Sequence, residues 1–385
     1  MSNVLDLFKG VGVIIDDDLK PEKEDADQKI FDIKKSFDDE NVPLLTYWEL
    51  PNKEVIHFKS VSFILLDWDL YGLGSTLPQS AINDNIEFIK QINNVCFVPI
   101  FIFSNESKQD IELKLTEVGL YDALKSNHIF VESKSELKNT KALFGKIEEW
   151  VKQTPSIYVL KEWDLALRKA KNSLFWDLYH INPEWAKVFY GTIKKDGGDV
   201  SYETSEILFE NLKTRTLPVE FDASILSVST TVTITPDEIK QVLEGQRFRK
   251  HNLDMIFTGD IFFKDGKYYI NVRPQCDCIP RKKGQTIDDI AVYLIEAKTL
   301  KHLDKHYDKD YGLFKDKDSQ FTVFPVNDKK AIQFEFKLFT VEQFKDWKTY
   351  RIGTLLPPFI TRLIQKYVAY MQRQGLPRIP EEAIK

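Results

Sequence analysis

Val61-Ser62-Phe63-Ile64-Leu65-Leu66-Asp67-Trp68-Asp69 decides the reading of the N-terminal half. Six mostly apolar residues, too few for a helix, stop abruptly at two carboxylates. An apolar run of this length fits a strand buried on both faces, and the acidic stop fits a chain leaving the sheet edge. The same grammar recurs on either side. Val11–Ile15 is closed by Asp16-Asp17-Asp18, Val95–Phe103 by Ser104-Asn105, and His128–Glu132 by Ser133-Lys134. Val42–Trp48 is a further strand, with Pro43 tolerable near its start or on an edge. Between these runs, Ile30, Ile33 and Phe37 have helical spacing, as do Ile82, Ile86, Ile89 and Ile92. Asp110–Val118 and Glu136–Val151 also read as helices. Strands alternating with amphipathic helices predict an α/β unit built on a parallel sheet. Ligands of open α/β sheets bind outside the carboxyl ends of the strands. Asp17, Asp67, Ser104 and Lys134 are therefore expected at one edge.

Composition sets the bounds. A chain of 385 residues is long enough for two or three domains. Apolar residues at 43% and charged residues at 29% are those of an ordinary globular protein, and 16 Gly and 16 Pro exclude collagen-like and low-complexity classes. The apolar runs are too short to span a bilayer, and the N-terminus lacks a basic region followed by an apolar stretch. Three cysteines, Cys96, Cys276 and Cys278, do not suggest a disulfide scaffold, so a reducing cytoplasm is the expectation. Residues 1–150 hold 16 lysines, no arginine and 27 acidic residues, a net of −11. Residues 151–385 hold 37 basic and 32 acidic residues, a net of +5. The first half disfavours a polyanionic partner; the second permits one without indicating it.

Four segments carry a resemblance: Val13-Ile14-Ile15-Asp16-Asp17-Asp18, Ile64-Leu65-Leu66-Asp67-Trp68-Asp69, Val98-Pro99-Ile100-Phe101-Ile102-Phe103-Ser104 and Phe130-Val131-Glu132-Ser133-Lys134. In order and approximate spacing they resemble the four motifs of receiver domains of two-component response regulators, over residues 8–150. The resemblance implies a flavodoxin-like, doubly wound, five-stranded parallel sheet. It makes Asp67 the acceptor of a phosphoryl group from a sensor histidine kinase. It gives Mg²⁺ to Asp16 and Asp17, Asp17 more directly, together with Asp67 and the backbone carbonyl of Asp69. Ser104 would then hydrogen-bond one phosphoryl oxygen and Lys134 pair with another. The residue types suit the chemistry, because phosphoryl transfer needs a carboxylate nucleophile and a divalent cation, and Mg²⁺ favours oxygen ligands. Three departures bear on switching. Leu70-Tyr71-Gly72 stands where the family carries a proline, Ser135 replaces the proline after the lysine, and Val131 occupies the aromatic switch position. Taken singly, an Asp triplet is also a helix cap or a solvated turn. A degenerate receiver kept for binding is the alternative within the family.

The remaining chain is expected as a helical segment over 154–218 and an α+β domain over 219–385, after a first domain over 1–153. Ile157–Trp176, Glu184–Ile193 and Ser205–Thr214 read as helices, and Ser227–Ile234 as a strand. Thr235-Pro236-Asp237-Glu238 has capping-box spacing. Met255–Phe263 with Lys267–Arg273, and Gln320–Val326 with Ala331–Phe339, read as hairpins of a small antiparallel sheet or barrel, and Leu355–Tyr370 as a terminal helix. No helix-turn-helix stands out. Arg247, Arg249, Lys250, Arg281, Lys282 and Lys283 are the candidate anion patch for a nucleic-acid-binding regulator. Cys276, Cys278, His302 and His306 make a zinc set on paper, provided the histidines share a helix face. Asp260, Asp277, Glu296 and Lys298 are candidates for a metal-dependent nuclease. Thr258-Gly259-Asp260-Ile261-Phe262, Tyr268-Tyr269-Ile270 and Pro274-Gln275-Cys276-Asp277 resemble a pattern of large receiver proteins in bacterial conflict operons. That resemblance implies a stand-alone receiver of a defensive, anti-phage two-component system such as Detocs, one that draws phosphate from the kinase and so restrains an effector. It leaves homodimerisation open.

Overall fold

The computed structural model describes residues 8–24, 26–72, 77–137, 139–227, 234–282, 284–373 and 379–383. The chain forms two compact units, one within 1–182 and 209–233, the other within 183–208 and 234–385.

The first unit is built from β1 (Gly12–Ile15), α1 (Gln28–Asp39), β2 (Leu44–Tyr47), β3 (Phe63–Leu66), α2 (Gln79–Val95), β4 (Ile100–Ser104), α3 (Lys108–Glu117), β5 (Ile129–Ser133) and α4 (Thr140–Lys152). All five strands are parallel, in the order β2-β1-β3-β4-β5. That is the 2-1-3-4-5 order of doubly wound sheets, whose switch point lies between β1 and β3. Every residue of β1, β3 and β4 is buried because helices cover both faces, whereas the edge strand β2 is not buried. Alternation along the strands sorts the core. Val13, Ile15, Ile64, Leu66, Ile100 and Ile102 meet Ile82, Ile89 and Ile92 of α2 and Ile111 of α3. Ile14, Phe63, Leu65, Phe101 and Phe103 meet Ile33 and Phe37 of α1 and Leu143 and Ile147 of α4. On that second face the rings of Phe8 and Phe63 meet edge to face at 4.7 Å. The link from β2 to β3 carries only a 3-10 turn over Val55–Ser60.

Strand positions follow the sequence closely, with two corrections. The run Val95–Phe103 is not one strand. Val95 ends α2, and β4 starts at Ile100, where pairing with β3 and β5 begins. An unbroken apolar run does not by itself say where helix gives way to strand. The final helix starts at Thr140, not Glu136, because the Asn139 side chain caps it by accepting from the Ala142 amide at 3.0 Å.

Helices α5 (Pro155–Ile181), α6 (Trp185–Asp196), α7 (Val200–Thr216) and α8 (Ala223–Leu226) follow. The expected strand over 227–234 falls, for 228–233, outside the described residues. Helix α9 (Pro236–Arg247) opens with the expected capping box between Thr235 and Glu238. Then come β6 (Phe248–Arg249), β7 (Asp260–Lys264), β8 (Lys267–Asn271), β9 (Ala291–Thr299), β10 (Tyr307–Asp308), β11 (Leu313–Phe314), β12 (Gln320–Val326), β13 (Lys330–Gln343), β14 (Arg351–Leu355) and α10 (Phe359–Met371). Seven of these strands make one antiparallel, barrel-like sheet in the order β12-β13-β9-β8-β7-β14-β6. Its core gathers Ile261, Ile270, Ile295 and Phe334 against Ile360 and Leu363 of α10. The expected strand from Met255 begins only at Asp260, and the terminal helix begins at Phe359, since Leu355 closes β14. Among the described residues, no helix is long and apolar enough to cross a membrane.

Candidate functional site

The carboxyl ends of β1, β3, β4 and β5 deliver the predicted side chains to one edge. Asp16 follows β1, Asp67 follows β3, Ser104 ends β4 and Lys134 follows β5. All four are buried, Lys134 to 1% exposure and Asp16 and Ser104 to 0%. The Lys134 Nζ lies 2.7 Å from Asp16 Oδ2 and 3.0 Å from Asp67 Oδ2, so one ammonium bridges two carboxylates that arrive 51 residues apart in sequence. A solvent-excluded lysine is tolerated only with such partners. Burial disfavours its charge, but the Asp67 and Asp16 carboxylates outweigh that and hold the ammonium above the ordinary lysine range. Burial pushes both carboxyl groups up, and Lys134 pulls them partly back.

Asp17 and Asp18 lie in a 3-10 turn that the Asp16 side chain caps, accepting from the Asp18 amide at 3.0 Å. One carboxylate oxygen from each of Asp16, Asp17 and Asp18 lies within 4.8 Å of the others, so this triad can hold a metal ion. Oxygen-only donors suit a hard divalent cation. The Asp69 amide donates to Asp67 Oδ1 at 3.4 Å, folding the chain back over the carboxylate. Ser104 Oγ accepts from the Glu106 amide at 3.2 Å. A cleft of about 800 Å³ opens over the site, lined by Asp17, Asp18, Asp67, Asp69, Asn105 and Glu106 among others.

Several contributors escaped the sequence reading. Lys23 reaches Asp17 Oδ2 and Asp18 Oδ1, each at 2.6 Å. Asn85, wholly buried on α2, donates to the Trp68 carbonyl at 2.6 Å and so holds the loop after Asp67. Glu106 lies 3.6 Å from Lys114, and burial raises its carboxyl pKa. None of these has a periodic or motif signal; a buried asparagine on an otherwise apolar helix face is the nearest to one. At the aromatic departure, Val131 packs in the core on one face of β5, while Phe130 meets Phe101 and Trp150 on the other.

In the second unit the candidates are held apart or engaged elsewhere. His302 has a left-handed backbone (φ 55°) and His306 follows a 3-10 turn, so the two do not share a helix face. The proposed set of Cys276, Cys278, His302 and His306 is not brought together among the described residues, where Asp16–Asp18 is the gathered group. Cys278 is buried, its thiol hydrogen-bonding the Pro274 carbonyl at 3.4 Å. Glu296 pairs with Lys267 at 2.9 Å and Lys298 with Glu335 at 2.5 Å. Asp260, fully buried, is held by Arg351 at 3.2 Å and by the Phe257 amide. Asp277 sits in a 3-10 turn. In the basic patch, Arg247 stacks on Phe359, Lys250 lies 3.6 Å from Asp328 and Arg281 lies 3.3 Å from Asp196; Lys283 is outside the described residues.

No family model and no curated protein matches the chain. Among solved structures, one titled as the yeast Spc42 trimeric coiled coil, amino acids 181–211, in a fusion, is similar at 12% identity. The match covers 44% of this chain and 95% of that one with a TM-score of 0.25, a likeness too slight to carry an argument.

Proposed function

We propose that the first unit is a receiver that accepts a phosphoryl group on Asp67 from a phosphohistidine of a sensor histidine kinase. The observation that carries this reading is the buried Lys134 ammonium shared between Asp16 and Asp67 beside an acidic triad. An ammonium so placed favours the ionised, nucleophilic form of Asp67 against the burial that opposes it. An Asp67 carboxylate oxygen attacks phosphorus, the bond from phosphorus to the imidazole nitrogen breaks, and the imidazole leaves with that electron pair. Asp16, Asp17 and the Asp69 carbonyl, with Asp67, would hold Mg²⁺, which when bound neutralises charge on the transferred group. Lys134 pairs with one phosphoryl oxygen, and the Ser104 hydroxyl donates to another.

On the same reading the protein works in the cytoplasm of a bacterium, in a two-component system of the signalling or anti-phage kind. The second unit then relays the change or holds an effector partner or a second copy. Intact-mass measurement after incubation with Mg²⁺ and a small acyl phosphate tests it. The chain should gain one phosphoryl group, and Asp67→Asn should gain none; equal labelling of both would overturn the proposal.

A further inference from the structure

We propose that Lys23 is the resident counter-ion of the cation site, which a divalent cation must displace in order to load. This rests on the receiver reading of the triad but concerns a residue outside its motifs. The three clustered carboxylates are already served by the chain's own groups. Asp16 is committed on both oxygens, to the Asp18 amide at 3.0 Å and to Lys134 at 2.7 Å. Asp17 and Asp18 receive Lys23, whose Nζ sits 2.6 Å from an oxygen of each. The two lysines differ in their freedom to leave. Lys134 is 1% exposed at the foot of the sheet edge, whereas the Lys23 side chain is 29% exposed in the loop before α1.

A single ammonium therefore spans two carboxylates of the triad that line the cleft, and a divalent cation on Asp17 would bring twice its charge to that residue. A cation that takes Asp17 Oδ2 competes with the Lys23 ammonium for that oxygen. Lys23 thereby weakens cation binding. The side chain is long enough to swing into the cleft, which it already lines, so displacement needs no change in the sheet.

Calorimetric titration of the full chain with Mn²⁺ at fixed ionic strength tests this without recourse to phosphorylation. Removing two partly exposed ion pairs in Lys23→Ala should tighten the dissociation constant about three- to tenfold. Lys23→Gln should follow it, Lys23→Arg should stay near the wild type, and Asp17→Asn should lose binding. Thermal unfolding of each variant checks that the fold is kept, and the glutamine variant stands in if the alanine variant is unstable. Unchanged or weaker binding in the neutral variants overturns the proposal and leaves the cation site standing. Absence of binding in the wild type and in every variant removes the cation site itself, and this inference with it.

Discussion

Replacing Lys134 by Met keeps much of its volume and removes its charge, so the cost is electrostatic. Asp16 and Asp67 would then face each other in a site where they are 0% and 6% exposed. Breaking a buried pair by removing one partner costs about 3–5 kcal/mol, because an uncompensated charge remains. For a unit of this size each kcal/mol lowers Tm by roughly 2–4 °C, so the drop is about 6–20 °C. The penalty must also depend on pH. Both carboxyl groups already sit above their ordinary value through burial, and loss of Lys134 raises them further. A carboxyl group raised in the folded state binds more protons there than in the unfolded chain. Stability of Lys134→Met therefore falls as pH rises from about 4 towards the raised values. Lys134 itself stays charged throughout, because its own value is raised and its contribution is lost only at alkaline pH. The variant should thus be closer to wild type at pH 5 than at pH 8, and Mg²⁺ should restore part of its Tm. Tryptophan fluorescence suits the assay, since five of the seven tryptophans lie in this unit. A Tm within 2 °C of wild type at pH 8, or an equal deficit at both pH values, would refute the reasoning.

Two further outcomes are expected. Lys161 on α5 is 5% exposed and hydrogen-bonds the Ser62 carbonyl, and burial lowers its pKa to about 8, with Asp164, Arg168 and Cys96 as its charged or titratable neighbours. The unfolded chain keeps that proton up to about 10.5, so wild-type stability should gain about 1–3 kcal/mol relative to Lys161→Met between pH 8 and 10; parallel pH profiles would contradict this. Asp260→Ala should cost about 3–5 kcal/mol by leaving the Arg351 guanidinium, whose side chain is 5% exposed, without its carboxylate, measured by denaturant unfolding, while wild-type protein with Mg²⁺ leaves plasmid DNA uncut; nicking at a site that needs Asp260 would restore the nuclease reading.

The sheet edge was legible because each central strand is an apolar run with a polar stop. Asp16, Asp67, Ser104 and Lys134 mark where backbone leaves the sheet, and the parallel order places those exits together. Boundaries were less legible where apolarity runs on, as from Val95 through Pro99, since an unbroken apolar run carries no period to separate helix from strand. The paper zinc set failed for a different reason. Spacing of four suggests a shared face only in a helix, and His302 adopts a left-handed conformation instead. Lys23 and Asn85 were invisible because no motif marks them: Lys23 turns back within the loop before α1, and Asn85 reaches from α2 to the loop after Asp67. A lysine in a polar loop reads as solvent-exposed, and only the fold brings it to Asp17 and Asp18.

The central claim is that Asp67 carries the phosphoryl group, and an aspartyl phosphate can be trapped chemically. Borohydride reduces the acyl phosphate to the alcohol and leaves free carboxylates intact. Peptide mass spectrometry after phosphorylation and reduction should find homoserine at position 67 and at none of positions 16, 17 and 18. Conversion at Asp16, Asp17 or Asp18 with position 67 unchanged would contradict the account.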